Sequence, residues 1–187
     1  RAHMGFDMNA FSLAGKKAIV TGGAKKTGLC YGMAVALHDA GAEIVILDAN
    51  SQVENTVAEL GGAKSGYHAV VANLLDLNDL SNGFQQAISA LGGRLDILVN
   101  GAGLQYRCPS EEFPEDAWDR IMGVNIKGVF FMSQLAGKVM LKQGKGKIIN
   151  IASTNSFIGL RNMPAYVSSK GGVKQLTMAL SSEWSGR

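Results

Sequence analysis

Tyr166 and Lys170 lie four residues apart in Ala165-Tyr166-Val167-Ser168-Ser169-Lys170. On a helix that spacing puts both side chains on one face. An ammonium beside a phenol stabilises the phenolate, which turns a weak acid into a usable proton donor and acceptor. The pair alone says little, because four tyrosines and twelve lysines produce such a spacing readily by chance. Its weight comes from what stands upstream: Ser153, Asn125 and a glycine-rich loop after the first apolar run.

That loop, Thr21-Gly22-Gly23-Ala24-Lys25-Lys26-Thr27-Gly28-Leu29-Cys30, follows a short apolar run and opens a helical pattern. Glycines let the backbone pass close to a phosphate, while free amides at a helix start accept its charge. Gly22, Thr27, Gly28 and Leu29 are therefore candidate nucleotide contacts, the alternative being a plain βα turn. Asp48 ends the second apolar run, 20 residues beyond Gly28. A carboxylate there can accept both hydroxyls of an adenosine ribose and repels a 2′-phosphate, which favours NAD over NADP. Lys25 and Lys26 pull the other way, and a solvated strand-end aspartate is the plainer alternative.

Apolar, β-rich runs alternate with helical patterns along the chain. Strands are expected at Lys17–Thr21, Glu43–Asp48, Tyr67–Ala72, Leu95–Asn100 and Lys147–Ala152. Helices are expected from the glycine loop to about Ala40, from a capping box of Ser51 and Glu54, over Asp76–Leu91, from about Pro114 to Gly137, and over Ala165–Trp184. Continuously apolar strands separated by helices imply a parallel sheet covered on both faces. The fold class is α/β, a doubly wound parallel sheet in a single domain. Such sheets bind ligands at the carboxyl ends of their strands, where each motif above falls.

Composition excludes several classes. A net charge of +3 on scattered lysines gives no nucleic-acid footprint. No apolar run reaches the roughly 18 residues that span a bilayer. Residues 1–10 read as a leader without fold signal, the start lacking the layout of a signal peptide. Cys30 and Cys108 form no paired motif, so two free thiols in a reducing cytoplasm are expected. His3, His38 and His68 are too dispersed for a metal site.

The ordered set of Thr-Gly…Gly, Asn-Gly-Ala-Gly, Asn, Ser and Tyr-x-x-x-Lys resembles the short-chain dehydrogenase/reductase family, whose fold is Rossmann-like. The resemblance runs from about Phe11 to Trp184 and implies a dinucleotide-binding domain over residues 11–187. It makes Tyr166 the proton donor or acceptor for the substrate oxygen. Lys170 stabilises the phenolate and holds the nicotinamide ribose; Ser153 orients the carbonyl; Asn125 holds a water that links Lys170 to solvent. It places Asn100, Gly101 and Ala102 along the cofactor, with Asn100 also bracing the sheet, and Asn73 and Leu74 beside the adenine. The hydride belongs to the cofactor; the protein supplies geometry and proton traffic.

Three departures stand out. Five residues separate Gly22 from Gly28, two more than the family loop allows, and Cys30 replaces its last glycine. Gly101 replaces a second asparagine. Family members also continue past the equivalent of Arg187 through further strands, so C-terminal strands are apparently missing. A disordered end left out of the chain is expected rather than a truncation.

Leu104–Pro109 and Thr154–Pro164 should border the substrate, with Gln105, Asn155 and Arg161 as candidate contacts and Arg107 and Asn162 nearby. This polar set suits hydroxyls and a carboxylate. Ser156-Phe157 and Glu183-Trp184 resemble the family's sugar-acid branch, which implies a small sugar-acid or polyol substrate. Alternatives remain: a 3-oxoacyl-carrier-protein reductase, or a non-catalytic dinucleotide-sensing relative. Small residues on the last helix (Ser168, Ser169, Gly172, Ala179) imply a helix-to-helix face of a homodimer or homotetramer, or close packing on the sheet.

Overall fold

Five strands set the rim on which the motifs meet: β1 (Lys17–Thr21), β2 (Glu43–Asp48), β3 (Tyr67–Val71), β4 (Ile97–Asn100) and β5 (Lys147–Asn150). All neighbours pair parallel, in the order β3-β2-β1-β4-β5. In register, Thr21 lies beside Leu47 and Asn100, Asp48 beside Val71, and Asn100 beside Asn150. The carboxyl ends of all five strands therefore form one edge. The computed structural model describes residues 8–187; most of the expected leader, residues 1–7 with His3, lies outside them, and Met8–Phe11 form a 3-10 turn.

Helices α1 (Leu29–Asp39) and α2 (Gln52–Glu59) cover one face of the sheet; α3 (Leu77–Ala90) and α5 (Val129–Gln143) cover the other. Phe84, Leu80, Leu98 and Met132 are buried on the α3–α5 side, and Ala34, Val53, Ile44 and Val20 on the α1–α2 side. β1 and β4 are buried along almost their whole length, as their apolar runs require. β5 is different: it sits at the sheet edge, with Ile149 46% exposed.

Two local expectations are corrected. Ser51 and Glu54 form no capping box, because Ser51 makes no side-chain cap bond. Asn50 takes that place, its Oδ1 accepting from the Gln52 amide at 2.9 Å, while Asp48 holds the Asn50 amide at 2.9 Å. The long helix expected from Pro114 is not continuous either. α4 (Glu115–Met122) passes into a π-helical turn, Gly123–Gly128, before α5 begins. The wider turn points Asn125 inward, and both carbonyl and amide groups of that side chain are bonded inside the protein. Its flanking glycines permit it: a Cβ on Gly123 would lie 2.6 Å from Leu75, and one on Gly128 3.1 Å from Leu74. α6 (Pro164–Trp184) closes the layer, starting one residue before the expected Ala165.

At the opposite rim, Glu43 of β2 bonds Lys17 of β1 and, at 2.8 Å, His68 of β3. Lys17, helped by His68 and opposed by burial, holds the Glu43 carboxyl below its ordinary value of 4.5. A depressed carboxylate stabilises above its unfolded pKa and loses that contribution as pH falls through the folded one. Glu43→Gln is expected to cost about 0.5–1 kcal/mol at pH 7 and progressively less as pH falls below 4.5, read by urea denaturation.

Candidate active site

The cleft at the carboxyl rim encloses about 340 Å³, lined among others by Gly22, Asp48, Asn73, Leu74, Ala102 and Gly103. Its floor is backbone at the ends of β1 and β4. Gly22 has φ +80°, and a Cβ there would lie 2.7 Å from the Ala102 Cα, so only glycine lets the two strand ends touch. Thr21 secures the junction, its hydroxyl accepting from the amides of Gly101 at 3.1 Å and Ala102 at 3.2 Å. Leu47, Leu74, Leu104 and Val124 give the cleft apolar walls, and Asp48 gives it one carboxylate. A flat heterocycle with a hydroxyl-bearing ribose fits apolar walls with one carboxylate acceptor. A larger groove of about 510 Å³ runs along the open edge of β5 between α5 and α6, away from this chemistry.

Asp48 is held in place. Its Oδ2 accepts from the Ala24 amide at 3.0 Å and its Oδ1 from the Asn50 amide at 2.9 Å. Lys26, one of the two lysines expected to oppose Asp48, is paired with Glu59 on α2. Asn73 forms a local turn, its Oδ1 accepting from the Leu75 amide at 3.0 Å.

Two of the catalytic candidates, Asn125 and Lys170, meet beside Gly103. A Cβ on Gly103 would stand 3.5 Å from the Asn125 Oδ1 and 3.9 Å from the Lys170 Nζ. Asn125 is fully buried: its Oδ1 accepts from the Leu104 amide at 2.7 Å, and its Nδ2 donates to the Leu104 carbonyl at 2.9 Å and the Ser169 hydroxyl at 3.1 Å. Lys170 is 5% exposed and donates to the Ile151 carbonyl at 2.5 Å, just beyond β5. Its Nζ lies 5.8 Å from the centre of the Tyr166 ring. Ser153 caps the 3-10 turn Thr154–Ser156, accepting from the Asn155 amide at 3.1 Å, so its own O–H remains free to donate. Ser156 ties this turn to α6 by bonding the Ser153 amide at 3.3 Å and the Lys170 carbonyl at 2.7 Å.

Other candidates fall elsewhere. Asn100 braces the sheet, donating to the Ser133 hydroxyl at 3.0 Å and the Asn150 Oδ1 at 2.9 Å, and it does not line the cleft. Thr27 and Leu29 are exposed beside Gly28, where the Gly28 amide closes a turn on the Lys25 carbonyl at 2.9 Å. Gln105 and Arg161 are exposed and Asn155 half-buried. Their two segments are joined by the Cys108 amide, which donates to the Asn162 carbonyl at 2.9 Å. Asn162 adopts φ +61°, a left-handed conformation that asparagine tolerates.

Sequence reasoning missed Val124, Arg120 and the tie that Ser156 makes to α6. Arg120 and Val124 lie four apart, Val124 immediately before Asn125, so their shared face was findable once Asn125 was placed. Two departures noted separately prove to be one contact: a side chain on Gly101 would overlap the Cys30 sulfur and lie 3.1 Å from the Thr21 carbonyl. Burial pushes the thiol of Cys30 up, and Cys108 is likewise free.

The profile of the family described as short chain dehydrogenase matches residues 16–187. The chain belongs to that family. It is accordingly an NAD(P)-dependent oxidoreductase of CH–OH groups. It is 42% identical over 178 residues to the 2-dehydro-3-deoxy-D-gluconate 5-dehydrogenase of Escherichia coli strain K12, covering 95% of this chain and 69% of that one. It is 35% identical to the gluconate 5-dehydrogenase of Gluconobacter oxydans strain 621H, covering 93% and 67%. The crystal structure of a gluconate 5-dehydrogenase from Burkholderia cenocepacia J2315, in complex with NADP and tartrate, superposes with a TM-score of 0.87 at 32% identity, covering 95% and 69%. The Rossmann-like parallel sheet and the sugar-acid branch expected from the motifs agree with these matches. Among the described residues no helix is long and apolar enough to cross a membrane.

Ser169 and Gly172, expected at a helix-to-helix face, are used inside the chain. Ser169 is buried against Asn125, and Gly172 packs on Ile126, where a Cβ would overlap the isoleucine. Ser168 and Ala179 are exposed.

Burial also holds Lys170 below the ordinary lysine value of 10.5. A base with a depressed folded pKa carries its full cost while protonated, and that cost fades as pH rises from the folded pKa towards the unfolded one. The stability of the protein relative to a Lys170→Met variant is therefore expected to grow as pH rises towards the unfolded value of 10.5, by about 1.4 kcal/mol for each unit of depression. A flat difference over that rise contradicts this placement.

Proposed function

We propose that this chain interconverts a secondary alcohol and a ketone on a small sugar acid or polyol, with NAD as the preferred cofactor and residues 11–187 as its binding domain. Convergence of Lys170 and Asn125 on Gly103, at one end of a cleft whose other end holds Asp48, carries the assignment. When bound, the nicotinamide supplies or accepts the hydride.

Tyr166 would donate a proton to the ketone oxygen, or take one from the alcohol in the oxidative direction. Ser153, whose oxygen is engaged by the Asn155 amide, would donate its free O–H to the same substrate oxygen and stabilise its developing charge. Lys170 has three donors; one is fixed on Ile151, which leaves the others for a ribose hydroxyl and a water. Asn125 fixes the Leu104 backbone beside that ammonium and would hold the relay water. Asp48 would accept the ribose hydroxyls through its remaining lone pairs. The names of the relatives and the tartrate of the solved structure support the sugar-acid class; its NADP makes cofactor choice the part most in need of measurement. A cytoplasmic homodimer or homotetramer remains the expected form.

The test follows nicotinamide absorbance in both directions: reduction of NAD and NADP with sugar acids and polyols, and oxidation of NADH and NADPH with 3-oxoacyl thioesters. Turnover of sugar acids or polyols with NAD is expected. Exclusive use of a 3-oxoacyl thioester with NADPH, or dinucleotide binding without turnover, overturns it.

A further inference from the structure

Asp48 does not orient itself, and the group that fixes it reaches back to a residue outside the cleft. Thr56 of α2 is 2% exposed, and its hydroxyl donates to the Ala24 carbonyl at 2.7 Å. Ala24, also 2% exposed, donates its amide to the Asp48 Oδ2 at 3.0 Å. One peptide segment of the lengthened glycine loop is thus gripped by α2 on its carbonyl and grips the carboxylate through its amide. Three residues further along α2, the exposed Glu59 pairs with Lys26 of that loop. Ala24 and Lys26 of the loop are therefore both held on α2.

We propose that Thr56 is a positioning residue for cofactor selection: through Ala24 it sets the Asp48 carboxylate in the orientation that accepts ribose hydroxyls and rejects a 2′-phosphate. This rests on the assignment of Asp48 to the ribose. Thr56 touches no cofactor itself, since it does not line the cleft. Its hydroxyl matters because a buried Ala24 carbonyl without that donor must shift to find another partner, and the shift passes through the Ala24 φ and ψ to the amide on the other side of its Cα. Asp48 would then keep only the Asn50 amide and gain rotational freedom.

The ratio of NADPH to NADH dissociation constants, from nicotinamide fluorescence titration, reads this directly. Thr56→Val keeps the shape and removes the donor; it is expected to lower the ratio about three- to tenfold, the equivalent of one hydrogen bond. Thr56→Ser restores the donor and should return the ratio to within about twofold of the parent. A role in folding alone would lower stability without moving the ratio. Should Thr56→Val fail to fold, Glu59→Lys on the exposed face of α2 repels Lys26 and must shift the ratio in the same direction. An unchanged ratio in the folded variants, with Asp48→Ala shifting it, overturns the Thr56 role alone. An unchanged ratio in Asp48→Ala overturns the ribose assignment and this inference together.

Discussion

Replacing Tyr166 by phenylalanine is expected to remove turnover by about three orders of magnitude, the range of a lost general acid–base group, while NADH binds within about twofold of the parent. The change deletes one oxygen and keeps the ring that lies 5.8 Å from the Lys170 ammonium. It leaves untouched the Ser156 bond to the Lys170 carbonyl and the Lys170 bond to Ile151, so the site around it stays assembled. The loss should therefore fall on kcat. Full activity in the phenylalanine variant removes Tyr166 from the chemistry. An equal loss of NADH affinity makes it a binding residue instead.

The second large effect concerns the contact between α1 and the end of β4. Gly101→Ala is expected to cost about 1–3 kcal/mol, because the added methyl overlaps the Cys30 sulfur and presses on the Thr21 carbonyl at 3.1 Å. The backbone raises no objection, since Gly101 is not in a left-handed conformation. Cys30→Ala removes only the sulfur, and its Cβ would stand 3.5 Å from the new methyl, an ordinary contact. The double variant should therefore recover most of the loss, giving a coupling of about 1–2 kcal/mol in a double-mutant cycle. Additive losses would mean that the two residues adjust independently. NADH affinity should follow the same pattern, because Gly101 and Ala102 share the Thr21 hydroxyl at the floor of the cleft.

This pair also shows where reading the chain reaches its end. Cys30 and Gly101 look like two unrelated departures from a motif because 71 positions separate them; parallel pairing of β1 with β4 brings them together. The sheet itself was legible, since buried parallel strands carry continuous apolar runs and glycines stop the intervening helices. Tyr166 and Lys170 were legible for the same reason: a helical period fixes which side chains share a face. The turn around Asn125 was not, because Gly-Val-Asn-Ile-Lys-Gly has the same apolar spacing whether its bonds span four residues or five. The exposed Arg120 resembled any solvated helix cation until the opposite wall of the cleft was in place. The cap of α2 went to Asn50 rather than Ser51 because Asp48 holds the Asn50 amide two residues on, and these two successive local turns leave the Ser51 side chain outside the cap.

All of the chemistry assigned above needs one arrangement, with Asp48 and Tyr166 at opposite ends of the same bound molecule. A crystal structure of the protein with NADH tests it most directly. Ribose hydroxyls within about 3.2 Å of the Asp48 carboxylate, and the nicotinamide C4 within about 5 Å of the Tyr166 hydroxyl, are the expected result. A dinucleotide seated elsewhere, such as in the groove along β5, or one whose nicotinamide ring turns away from Tyr166, Ser153 and Lys170, would contradict it.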